Sequence, residues 1–257
     1  MMELKGKTAL IAGAGRNNGK SIALTFAREG ADLILVARKL GDELKQVAKE
    51  CEALGVKTLA LLANIGNNQD VERVVKQGLQ RFGKVDVLVS VAAIRPHKNF
   101  WEFSDEEWHE VFAVNLHSTF YLAKALAPGM KERKSGSIIA LGGMASLTSE
   151  AIGSAVVASK HGLYGLIKSL ALELGPYGIR ANLLALSNIE NKRLNPEWYA
   201  GRTGDAVMNV RGGDPSASPL KRNGNPLEVG NAALFLASDR SSYITGDRLL
   251  CAGGKFM

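Results

Sequence analysis

Apolar and polar positions fall in alternating blocks along the chain. Short, nearly unbroken apolar runs recur at "KTALIAG" (7–13), "ADLILVAR" (31–38), "VKTLALLA" (56–63), "VDVLVSVAA" (85–93), "GSIIALGG" (136–143), "IRANLLAL" (179–186) and "DRLLCAGG" (247–254). Runs this short and this apolar predict strands buried on both faces. Between them, apolar positions recur at helical spacing. The predicted helices are "SIALTFAREG" (21–30), "GDELKQVAKECEALG" (41–55) and a charged stretch near 67–82. A long helix follows, opened by Ser104 and Glu107 as a capping box and ending near Pro128 and Gly129. Two more are the helix that carries Lys160, closing at Gly175–Pro176, and one from Asn225 and Pro226 to about Ala237. Strict alternation of this kind predicts an α/β fold: one seven-stranded parallel sheet with helices on both faces. Neither an internal repeat nor a linker interrupts it. The exception is 188–224, rich in Asn, Gly, Pro and Ser. It reads either as a lid or substrate loop after the sixth strand or as a plain surface excursion.

Composition narrows the class. The 257 residues are 46% hydrophobic and 22% charged, enough for one large core. Cys51 and Cys251 lie far apart with no metal or redox spacing, so a reducing, cytoplasmic compartment and no metal site are expected. The N-terminus lacks the apolar run of a signal peptide, and no stretch is long enough for a membrane span. A net charge of +7 invites an anionic partner. The basic residues are scattered and aromatics are not interleaved with them. An anionic cofactor therefore accounts for the charge more simply than a nucleic acid does.

Candidate chemistry begins at "GAGRNNG" (13–19), which joins the first strand to the first helix. Glycines there let a backbone approach a pyrophosphate seated on a helix N-terminus. The glycines are Gly13, Gly15 and Gly19, not the G-x-G-x-x-G spacing, and a tight turn needs glycine anyway. At the end of the second strand an acidic residue would hold the ribose 2′-hydroxyl of NAD. Ala37 is followed instead by Arg38 and Lys39, and Arg16 lies within reach of the same place. NADP(H) is therefore favoured over NAD(H). The competing view is that Arg16 and Arg38 are merely solvated.

The stretch "GSAVVASKHGLYG" (153–165), together with "LIAGAGRNNGKSIALTFAREGADLILVAR", "FAVNLHSTF", "GSIIALGG", "SLALELGPYGIRANLLA" and "FLASDRSSYITGDRLLCAGG", resembles the short-chain dehydrogenases/reductases along essentially the whole chain. The resemblance implies a single Rossmann-like domain over 1–257, a three-layer sandwich assembled as a homo-oligomer, usually a tetramer. It places the cofactor against Gly13, Arg16, Asn17, Asn18, Gly19, Arg38, Asn64, Ile65, Ala92 and Lys160. The family's chemistry uses a tyrosine that exchanges a proton with substrate, a lysine one helical turn later, a serine after the fifth strand and an asparagine in the preceding long helix. Lys160 and Asn115 match the lysine and the asparagine. Val156 stands at the tyrosine position and Gly143 at the serine position.

Other departures surround the same place. Asn17 replaces the middle glycine of the cofactor turn and is followed by Asn18, "SVAA" (90–93) replaces an Asn-Asn-Ala-Gly, Asn64 replaces an aspartate, and Leu186–Ser187 replaces a Pro-Gly. Asn tolerates positive φ, so the turn is expected to survive. General acid–base help is worth ~10²–10⁴-fold in rate, so ordinary carbonyl or alcohol turnover is expected to be weak or absent. Candidate stand-in acids are His97 and Glu150, in stretches that line the pocket in relatives. Tyr164 and Ser146 are displaced, and His109, His117 and His161 show no metal spacing. Three functions remain: an NADP(H)-dependent oxidoreductase with a non-standard proton donor, a non-catalytic binder of a small molecule or partner, and a non-redox lyase, isomerase or hydratase. Reduction of enoyl thioesters, which protonates carbon, is a further variant that Val156 does not oppose.

Overall fold

The computed structural model describes residues 2–39, 41–149, 151–191, 216 and 218–255. Its seven strands are β1 (Thr8–Ala12), β2 (Asp32–Ala37), β3 (Thr58–Leu62), β4 (Val87–Ser90), β5 (Gly136–Leu141), β6 (Ile179–Leu186) and β7 (Arg248–Cys251). All pairings are parallel, in the order β3-β2-β1-β4-β5-β6-β7. The helices are α1 (Asn17–Arg28), α2 (Gly41–Glu52), α3 (Asn68–Phe82), α4 (Asp105–Phe112), α5 (Ser118–Arg133), α6 (Ser154–Leu174) and α7 (Pro226–Ala237).

Each inner strand sends alternate side chains to opposite faces. Ala9, Ile11, Leu33 and Leu35 meet Phe26 of α1, Leu44 of α2 and Val229 of α7. Leu10, Ala12, Ile34 and Val36 meet Val71 of α3, Leu122 of α5 and Leu163 of α6. Burial on both faces is why the strands read as continuous apolar runs. A third, smaller cluster joins Val111 and Val114 to Ile94 and Ala155. Because the chain leaves β1 toward β2 on one side and returns to β4 on the other, a crevice opens at the carboxyl ends of β1 and β4.

Four expectations need correction. The first helix begins at Asn17 rather than at residue 21, so both asparagines belong to its first turn. The long helix does not end at Pro128. It runs on to Arg133, because Leu126 and Met130 are buried, and it stops at Lys134 in the left-handed region (φ 50°). That segment is also not continuous, since a π-helical turn at Ala113–His117 separates α4 from α5. Strands β4 and β7 are shorter than their apolar runs, because the residues past Ser90 and Cys251 leave the ladder to build loops. The 188–224 excursion is pinned at its ends by Glu190 N–H donating to Gly224 O (2.9 Å) and Gly224 N–H donating to Asn188 O (2.8 Å). Its lid reading falls on 192–215 and 217, outside the described residues.

Candidate functional site

The glycine turn sits at the crevice. Gly13 adopts φ +101°, and a Cβ there would lie 2.7 Å from Ala92 N, so the two loops meet backbone to backbone. Gly19 has no room either, since a Cβ would run into the Gly13 carbonyl oxygen. Ala92 N–H donates to Ala12 O (2.9 Å), which locks the end of β4 beside the turn. Asn17 takes φ +49°, as its residue type allows. Arg16 is the N-cap of α1 in extended conformation and supplies no side-chain cap. The buried Arg16 Nη1 and Asn18 Oδ1 have no hydrogen-bond partner. An unpartnered buried guanidinium nitrogen at a helix N-terminus is a fitting place for a phosphate. The Asn18 oxygen is an acceptor and suits an anion only if its amide turns to present nitrogen.

The end of β2 holds a surprise. Arg38 Nη1 donates to Glu110 Oε1 on α4 at 2.8 Å, and both side chains are half exposed. Asn64 is exposed. Its N–H donates to Asp70 Oδ2 (2.7 Å), while its own Oδ1 accepts from Gly66 N–H (3.2 Å). Ile65 behind it is buried. Gly66 lies close against the π-helical turn, its Cβ position 3.3 Å from Ala113 Cβ.

The positions expected to form the reaction centre cluster at the carboxyl ends of β4 and β5. Lys160 is 6% exposed, and its Nζ donates to Leu141 O at 2.8 Å. Burial, and after it the Arg95 charge, pull its ammonium down to about 7. Val156, one turn earlier, is buried. Asn115 lies in the π-helical turn and clamps Ile94, accepting from Ile94 N–H (2.9 Å) and donating to Ile94 O (3.0 Å). Its amide also donates to Ser159 Oγ (3.2 Å), which donates in turn to Val156 O (2.9 Å). π-Helical turns gather at functional sites, and this one aims a buried amide at the loop after β4. Gly143 is extended, and the nearest atom to a Cβ placed there is Leu186 O at 3.9 Å. A serine would therefore fit.

Of the other expected residues, His97 is buried in the loop that the Lys98 N–H to Ile152 O bond (2.9 Å) fastens down. Glu150 lies outside the described residues. Ser146 turns its Oγ back to Gly143 O (2.7 Å) and so is spent on the turn. Tyr164 packs on the core with the Arg248 guanidinium 5.0 Å from its ring centroid, a structural role. His161 Nδ1 lies 3.0 Å from Val157 O, and His117 sits between Phe112 and Tyr121. Among the described residues no three His, Cys, Asp or Glu side chains gather to hold a metal. Sequence reasoning missed Ser159, Glu110 and the effect of Arg95 on Lys160. Ser159 stood in plain view inside "ASK", but a serine in a helix carries no sign of burial. Nothing local ties Glu110 to β2.

Residues 13–255 match the family described as Enoyl-(Acyl carrier protein) reductase. The chain is 33% identical over 251 residues to a 3-oxoacyl-[acyl-carrier-protein] reductase FabG of Staphylococcus epidermidis, covering 98% of this chain and 99% of that one. It is 35% identical over 259 residues to Oxidoreductase UcpA of Salmonella typhimurium, covering 99% and 96%. The chain belongs to the short-chain dehydrogenase/reductase family. A solved short-chain type dehydrogenase/reductase from Mycobacterium marinum superposes with a TM-score of 0.85 at 29% identity, over 99% of this chain and 97% of that one. The expected fold and the membership in this oxidoreductase family hold along the whole length. No helix among the described residues is long and apolar enough to cross a membrane.

Proposed function

We propose that this chain is an NADP(H)-dependent oxidoreductase whose active site is degenerate at Gly143 and Val156, so that any reduction draws its proton from a non-standard donor. The observation that carries this reading is the pairing of a buried Lys160, held by Leu141 O at 2.8 Å, with aliphatic Val156 one turn away. The lysine is kept and has no phenol to act on. Gly13, Gly19 and the first turn of α1 would take the pyrophosphate. Arg16 and Arg38 would take a 2′-phosphate, Asn64 and Ile65 would border the adenine, and Ala92 and Lys160 would face the nicotinamide ribose. Once bound, the nicotinamide would exchange a hydride with substrate. The chain's own tasks are to hold that ring and to deliver a proton, for which His97 and Glu150 are the stand-in acids. The two unpaired cysteines agree with a reducing, cytoplasmic setting, and burial first of all pushes the Cys51 thiol up to about 12, where it is inert.

Fluorescence titration with NADPH and NADH, followed by assays on ketones and enoyl thioesters, tests the reading. NADPH is expected to bind more tightly, with weak or absent ketone turnover. Installing both missing hydroxyls, Gly143→Ser with Val156→Tyr, should raise ketone reduction by ~10²-fold or more. If neither nucleotide binds at millimolar concentration, the proposal is removed. Tight NADPH binding with no turnover on any substrate would favour a non-catalytic binding protein instead.

A further inference from the structure

Val156 offers no polar group, so a polar tie between this turn of α6 and its surroundings must come from a neighbour. Ser159 is fully buried and lies between Val156 and Lys160 on the helix. A serine hydroxyl has one proton to give and lone pairs to accept with. This one donates to Val156 O at 2.9 Å and accepts from Asn115 Nδ2 at 3.2 Å. Among the described residues, the bond to Asn115 is the one side-chain hydrogen bond that joins α6 to the π-helical turn.

Both ends of that bond are committed elsewhere. Asn115 is buried and accepts from Ile94 N–H (2.9 Å) while donating to Ile94 O (3.0 Å), so its amide is not free to turn. On the other side, helical geometry makes Val156 O the acceptor for Lys160 N–H, four residues on. The Ser159 proton therefore lands on the carbonyl that also receives the Lys160 backbone. A hydroxyl that bonds back in this way alters the local course of a helix. The Lys160 head is fixed separately, by donation to Leu141 O at the end of β5 (2.8 Å). Head and backbone of one lysine are thus held from two sides, and the backbone side runs through Ser159.

We propose that Ser159 is a positioning residue for the cofactor: tied to Asn115, it sets the turn of α6 from which Lys160 meets the nicotinamide ribose. This deepens the NADP(H) reading and rests on it, since only there does Lys160 face that ribose. The role is indirect, because the Ser159 hydroxyl spends its proton and its acceptor inside the fold. Removing the hydroxyl leaves one Asn115 N–H buried without an acceptor, a defect that the two segments relieve only by shifting against each other. Such a shift moves the base of Lys160 while Leu141 O still holds its head. The glycine turn after β1, two strands from β5, takes no part in this network.

Calorimetric titration of the full chain with NADPH and with 2′,5′-ADP tests the role. Both ligands carry the adenosine 2′-phosphate, and only NADPH carries the nicotinamide ribose. The readout is the margin by which NADPH binds more tightly than 2′,5′-ADP. Ser159→Ala is expected to lower that margin about five-fold, the size of one lost hydrogen bond, with 2′,5′-ADP bound as in the native protein. Lys160→Met is the reference and is expected to lower it at least as far. A residue that served only the stability of the fold would lower the melting temperature and leave the margin alone, or weaken both ligands equally. Either result in Ser159→Ala would overturn the proposal. A margin that drops in Lys160→Met and holds in Ser159→Ala sinks the Ser159 role alone. If the native protein shows no margin, or Lys160→Met keeps it whole, the ribose contact itself is wrong and the proposal falls with it. Should Ser159→Ala fail to fold, Ser159→Cys decides, being close in size and weaker in hydrogen bonding: an intermediate margin supports the role and a native one overturns it.

Discussion

A buried lysine beside a valine is the residue-scale anomaly of this protein. Its ordinary pKa of 10.5 falls to about 7. The sign for stability follows from proton counting. Between about 7 and 10.5 the unfolded chain binds the proton and the folded chain does not, so this contribution to stability rises with pH across that window. Below about 7 both states carry the charge, and the folded state bears the whole cost of burying it. Lys160→Met removes the titration. Its stability relative to native should be greatest below pH 7 and should shrink as pH climbs toward 9 and beyond, at about 1.4 kcal/mol per pH unit within the window. The variant also strands the Leu141 carbonyl, a constant offset, so denaturation curves at several pH values must be compared by slope. A flat difference would show that the ammonium is not desolvated. Lys160, Val156, Gly143 and Asn115 were legible in the sequence because the helix periodicity and the family motif place them. The consequence for Lys160 was not, because a pKa depends on what surrounds the nitrogen in space.

At the scale of elements, two junctions shape the crevice in which the cofactor is proposed to lie. The turn from β1 to α1 keeps its shape without its usual middle glycine, because Asn17 supplies the left-handed conformation itself. At the end of β2, the α4 side chain Glu110 occupies Arg38 at 2.8 Å. A 2′-phosphate that claims Arg38 must break this pair and then lie near a carboxylate, whereas a 2′-hydroxyl suffers little from either. Glu110→Gln should therefore tighten NADPH about two- to five-fold, the range expected for losing an exposed ion pair, and leave NADH unchanged. Equal shifts for both nucleotides, read by fluorescence titration, would show that Glu110 does not act on the 2′ position. The amino acids at the end of β2 were readable as cationic. Their prior engagement was not, because Arg38 and Glu110 stand 72 residues apart and only the packing of α4 brings them together. The π-helical turn was likewise invisible, since its residues read as ordinary helix. Pro128 misled for a related reason: a helix whose next turn buries Met130 absorbs the loss of one N–H.

For the whole molecule, β7 is the edge strand of the sheet among the described residues, and large apolar side chains stand in the open. Leu172 on α6 is 81% exposed, Tyr243 is fully exposed, and Leu250 on the edge strand is 42% exposed. An edge strand and apolar surface of this kind invite pairing with another copy. We expect light scattering to report twice or four times the chain mass, and Leu172→Asp to lower it. A native monomer would remove that expectation.

By itself, the sequence determined the layered architecture. Runs buried on both faces are apolar throughout and helices are periodic, and these are properties of short windows of chain. It also determined that position 156 is a hydrocarbon, since no fold can make valine donate a proton. The tertiary structure alone decided that Lys160 is enclosed, that Asn115 joins two loops and that Arg38 is already held. Burial, electrostatic influence and competition for one hydrogen-bond partner arise between residues far apart in the chain, so only the folded arrangement could set them.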